Sequence, residues 1–115
     1  MSDDARYLHL VPTEVWERQQ GGPTYLPEAY EGDGFIHLTI GESNVIDVAN
    51  RYYRQDARAY SVLELDKDRI VANVQFDDDS GIYPHVYGPL NVDAVVAVRP
   101  VRREQDGTFI GIEYS

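Results

Sequence analysis

The chain contains no cysteine, which excludes disulfides, thiol nucleophiles and thiolate metal sites together. Basic residues are scarce: 10 lysines and arginines stand against 20 acids, a formal net charge of −10. Nucleic-acid binding rests largely on cations that neutralise phosphates, and this chain lacks that footprint. An acidic surface also repels anionic membranes. No apolar run approaches the roughly 20 residues needed to cross a bilayer. The opening Met1-Ser2-Asp3-Asp4 is acidic and carries no secretory pattern, so the expected compartment is the cytoplasm.

What is present is the material of one core. Apolar residues make up 43% of 115 residues, and nine tyrosines give the interior a polar-tipped aromatic lining. Two cores would each be too small to fold alone, so residues 1–115 are expected to form a single domain.

The pattern along the chain is α+β. Tyr7 to Val11 reads as a first strand. Pro12-Thr13 opens a short helix through Gln20, with Thr13 as N-cap and Gly21-Gly22 as the stop. The segment from Pro23 to Asp33 is expected to be an ordered, irregular loop. Phe35 to Leu38 reads as a second strand. Thr39 and Glu42 then have capping-box spacing, and Val45, Val48, Ala49 and Tyr52 follow with helical periodicity. Strands are expected at Tyr60 to Asp66 and Val71 to Phe76, joined by the charged turn Lys67-Asp68-Arg69. Val95 to Val101 suits a central strand, and Asp106-Gly107 should turn it back into Thr108 to Tyr114. About two helices and six or seven strands result, in a largely antiparallel sheet.

Three histidines carry the chemistry. His9 and His37 each sit mid-strand between apolar neighbours, and strand alternation turns each away from them, toward solvent or a polar cavity. His85 lies in Tyr83-Pro84-His85-Val86-Tyr87-Gly88-Pro89, where prolines and a glycine brace the backbone and leave His85 and Tyr87 on one side. Imidazole both donates and accepts hydrogen bonds and titrates near neutral pH, which suits a binding pocket. Tyr87 is placed to stack on a planar ligand. Arg51 and Arg54 are placed to meet an anionic group, or else to complement the end of their helix. Read one at a time, each histidine also fits a purely structural role.

Other chemistries find little support. Three histidines and a water can hold zinc, but no His-x-His or His-x-x-x-His spacing points to it. No Gly-x-Ser-x-Gly elbow is present. Gly32-Asp33-Gly34 is too short and too acidic to cradle a phosphate. The run Asp77 to Asp79 lacks the spaced ligands of a calcium loop and reads as solvated.

Taken together, Tyr7–Pro12, Gly34–Thr39 and Pro84–Leu90 resemble the bacterial family called domain of unknown function 952. The helix Val45–Tyr53 and the strand Ala94–Pro100 resemble it too. The resemblance implies the split antiparallel sheet of the ADP-ribosyltransferase superfamily, which binds NAD in a cleft. It implies that His9 and His37 hold the ligand, with Tyr87 stacking and Arg51 at a phosphate. His85 then takes the catalytic position. Many members of that superfamily have glutamate at that position, so His85 is a departure. A histidine there cannot supply the negative charge that stabilises an oxocarbenium ion, which argues against ordinary mono-ADP-ribosyl transfer. The implied partner is NAD, an ADP-ribose-like small nucleotide, or a protein. The alternative is a non-catalytic binding or interaction module with structural histidines.

Overall fold

The computed structural model describes residues 6–114; the acidic opening Met1–Asp4 lies outside them. The elements in chain order are β1 (Tyr7–Pro12), α1 (Thr13–Gln19), β2 (Thr24–Tyr25), α2 (Tyr30–Asp33), β3 (Ile36–His37), β4 (Thr39–Ile40), α3 (Glu42–Tyr52), β5 (Tyr60–Leu65), β6 (Asn73–Phe76), β7 (Pro84–Tyr87), β8 (Leu90–Asn91), β9 (Val95–Arg103) and β10 (Phe109–Ile112). Single 3₁₀ turns at Lys67–Arg69 and Val92–Ala94 complete the list. The result is a mixed α+β domain. Its mostly antiparallel, curled sheet divides into a five-stranded unit ordered β10-β9-β5-β1-β4, a three-stranded unit β3-β7-β6 and the pair β2-β8. Among the described residues no helix is long and apolar enough to cross a membrane.

Strands β1 and β5 are apolar on both faces, because both faces are covered. On one face Leu8 and Val62 join Val101 and Phe109 beneath α3, which inserts Val45 and Ala49. On the other, Val11, Leu63 and Leu65 pack against Trp16, Tyr25, Ile36 and Val86. Two-sided burial favours near-continuous apolar runs over strict alternation. His9 sits opposite Leu63 on this second face, inside the packed layer.

Three details differ from the sequence expectations. The stretch expected to be irregular contains α2, which ends where Gly34, at φ +80°, closes its last turn with an N–H to Tyr30 carbonyl bond of 2.7 Å. Neither expected cap forms. Pro12 occupies the N-cap of α1, and the Thr13 hydroxyl pairs instead with that of Ser61 at 2.8 Å. Thr39 is drawn into β4 by pairing with Leu8, so Gly41 becomes the N-cap of α3. Glu42 reaches away to the Tyr114 hydroxyl at 3.0 Å. Tertiary strand pairing has outcompeted a local capping preference. The strands are also more numerous than expected, because β2, β3, β4 and β8 are two-residue pieces.

The Asp106-Gly107 hairpin forms as read, joining β9 to β10 antiparallel. Gly107 adopts φ +97°, and a Cβ there would stand 2.5 Å from the Arg54 carbonyl oxygen. Gly107→Ala is therefore expected to cost about 1–2 kcal/mol. The check is a lower urea midpoint with an unchanged slope.

Candidate functional site

The pairing of β3 with β7 sets His37 directly across from His85. Their rings lie 5.3 Å apart at 74°. Phe35 fixes both: it stacks on His85 at 4.0 Å and 14°, and meets the His37 ring at 4.7 Å and 62°. Each imidazole also leans on a carboxylate. Nδ1 of His85 lies 2.8 Å from Asp77 Oδ2, and Nε2 of His37 lies 3.1 Å from Asp33 Oδ2. An ionised carboxylate only accepts, so each of these ring nitrogens carries the proton. Nε2 of His85 and Nδ1 of His37 remain for other contacts.

Asp77, read from sequence as part of a solvated loop, is instead the anchor of β7. It accepts from His85 and from the Tyr87 hydroxyl. The bond from Tyr87 and then that from His85 hold its carboxyl below the ordinary range, while the same carboxylate pushes the Tyr87 phenol up. Tyr87 does share a side with His85. Its hydroxyl is engaged by Asp77 and its ring lies 5.4 Å from Phe35, so it stands as support for His85.

His9 lies behind this pair. Its Nδ1 is 2.8 Å from the His37 carbonyl oxygen and its Nε2 is 2.8 Å from the Tyr25 hydroxyl. A carbonyl cannot donate, so Nδ1 carries the proton and Tyr25 donates to Nε2. Burial pushes this imidazole down from 6.5 to about 4, partly offset by its backbone bond and reinforced by His37. His9 is a neutral crosslink between β1, β2 and β3. With both nitrogens engaged it has none to give a metal. Among the described residues no group of three or more His, Cys, Asp or Glu is arranged to hold one.

Two adjoining hollows meet at His37, Thr39, Val48 and Tyr53. The inner hollow, about 160 Å³, is bordered by His9, Tyr25, Asp33, Asp56, Arg58 and Tyr60. The outer hollow, about 440 Å³, is bordered by Arg51, Tyr52, Asp78, Tyr83 and His85. Arg51 thus reaches the cleft, paired with Asp47 at 3.0 Å one helical turn earlier. His9 borders the inner hollow, His85 the outer, and His37 both.

Sequence reasoning missed the inner wall. Arg58 bonds Asp56 through both Nε and Nη2, and Glu28 and Glu14 through Nη1, with Glu28 also on Nη2. Tyr60 donates to Asp56 at 2.7 Å. These residues come from three separate segments, and the spacing of Asp56 and Arg58 carries no motif. Phe35 was legible only as a strand residue.

The fold and cleft define a small α+β domain built around a carboxylate-backed histidine pair. Residues 10–98 match the family described as Protein of unknown function (DUF952), and the chain belongs to it. A comparison with curated proteins returns no match. Among solved structures the chain is similar to the crystal structures of CC0527 from Caulobacter crescentus and of a double mutant of that protein. Each has 20% identity and a TM-score of 0.77, covering 91% of this chain and 93% of that one. At that identity the likeness shows the fold alone. These matches lend no support to the likeness to ADP-ribosyltransferases that the sequence suggested.

Proposed function

We propose that the chain binds a small organic ligand over His37 and His85, and that these imidazoles exchange a proton with it. The observation that supports this reading is the pair of Asp–His units on adjacent strands, each leaving one ring nitrogen unengaged by its carboxylate. A carboxylate that fixes the tautomer and orientation of an imidazole prepares it to act as a general acid or base. Phe35 packs against both rings and restricts their rotation. In this reading His85 is the catalytic group, His37 binds and shares the proton work, and Arg51 meets an anionic part of the ligand after leaving Asp47. His9 and Tyr87 act through their neighbours, His9 by fixing the His37 backbone and Tyr87 by holding Asp77.

The family resemblance makes NAD and ADP-ribose the first ligands to try. Imidazole nitrogen NMR signals of His37 and His85 should shift on adding millimolar NAD or ADP-ribose, with the His9 signals moving less. Where NAD binds, released nicotinamide reports turnover, and His85→Gln should lower the rate by about 10²-fold or more with binding retained. Binding without turnover in the unaltered chain would favour a sensor or interaction module. Silent signals from both histidines would remove the proposal for these ligands.

A further inference from the structure

On the deep wall of the inner hollow the hydrogen-bond donors are already engaged. A guanidinium has five N–H groups. At Arg58 the bonds to Asp56, Glu28 and Glu14 account for one on Nε, two on Nη1 and two on Nη2. The Tyr25 hydroxyl proton goes to His9 and that of Tyr60 goes to Asp56. The single N–H of His9 goes to the His37 carbonyl.

Acceptors remain. The oxygens of Tyr25 and Tyr60 keep lone pairs once their protons are given away. Asp33 takes its bond from His37 at Oδ2 alone. Charge points the same way: Glu28, Asp33 and Asp56 face one guanidinium along this wall. An anion entering here would meet excess negative charge, with the Thr39 and Tyr53 hydroxyls, where the two hollows meet, the lining side chains with a donor still to give. A protonated nitrogen would bring the missing donors and the missing charge together. Tyr53 and Tyr60, with ring centroids 5.5 Å apart, add aromatic surface of the kind that attracts cations.

Resting on the cleft as the ligand site, we infer that the inner hollow takes a protonated nitrogen of the ligand, an ammonium or amidinium head. The rest of the ligand lies over His37 into the outer hollow. There His85 and Arg51 stand on the far side, so the site reads a ligand with its cationic end inward. The Arg58 cluster, which by residue type alone would suggest phosphate binding, acts as a saturated wall that keeps Asp56 and Glu28 in place.

The test is an NMR titration of the full chain at pH 7 with n-butylammonium, 1-butanol and butyrate at matched ionic strength. The expected result is that n-butylammonium moves the Tyr25, Asp33 and His9 signals and binds about tenfold or more tighter than butyrate. Asp33→Asn should weaken the ammonium by about tenfold and leave 1-butanol unchanged. Asp33 is exposed enough for the variant to fold. Butyrate binding as tightly as n-butylammonium would overturn the inference. So would ammonium shifts confined to His85 and Tyr83, or no response of the inner hollow to any of the three. If NAD or ADP-ribose still moved His37 and His85, the ligand site would stand while this inference fell. No response to any probe in either hollow would remove both.

Discussion

His9→Leu is expected to lower the free energy of unfolding by about 3 kcal/mol near pH 7. The substitution leaves the buried Tyr25 hydroxyl without its acceptor and the His37 carbonyl without its donor. Each orphaned buried polar group costs about 1–3 kcal/mol. The pH dependence separates this role from simple packing. In the unfolded chain the imidazole takes a proton near pH 6.5, whereas in the folded chain burial holds it to about 4. Between those values the unfolded state binds the proton and the folded state does not. The contribution of His9 is therefore complete above pH 6.5 and is lost as pH falls toward 4, a swing of about 3 kcal/mol at 1.36 kcal/mol per unit. Urea melts at pH 7, 6, 5 and 4 should show the gap between the unaltered chain and His9→Leu closing over that range. A gap that stayed constant would mean that His9 is not a neutral donor–acceptor crosslink.

Asp56→Ala should be nearly as damaging, at about 3 kcal/mol at pH 7. Asp56 accepts from the Arg58 amide at 3.0 Å, from the guanidinium at 2.8 Å, and from the Tyr60 hydroxyl at 2.7 Å. Hydrogen bonds to charged groups are worth about 1.5–3 kcal/mol each, and the partial exposure of this cluster trims their sum. The bonds from Arg58 above all, with that from Tyr60, hold the Asp56 carboxyl far below the usual carboxylate range. Its contribution is present above the ordinary carboxylate pKa and is lost as pH falls below it. Acid unfolding should thus draw on two groups in sequence, His9 above pH 4 and Asp56 below. Asp56→Asn, which keeps an acceptor for Tyr60, should lose less than Asp56→Ala. An unchanged urea midpoint for Asp56→Ala would show that the cluster adds no stability.

Much of the fold was legible because periodicity and turn chemistry are local. Val45 and Ala49 mark the buried stripe of α3, and Asp106-Gly107 marks its hairpin. Thr39 and Glu42 misled for an equally physical reason. A capping box is worth about a kilocalorie, and strand pairing to Leu8 outweighed it. Alternation correctly turned His9 away from Leu8 and Leu10. It could not say whether the other face was water or core, because that depends on Tyr25 and Ile36 arriving from elsewhere in the chain.

The candidate site divides along the same line. By itself the sequence determined the residue types, the three histidine segments and the bracing of His85 by prolines and a glycine, since these follow from short-range sterics and side-chain chemistry. Only the tertiary structure decided their arrangement. It placed His37 beside His85, gave each a carboxylate, withdrew His9 into the core and gathered Arg58 with its carboxylates. His9 and His37 are 28 positions apart, Arg58 stands 30 and 44 from Glu28 and Glu14, and His37 and His85 are 48 apart, distances at which no local preference reaches.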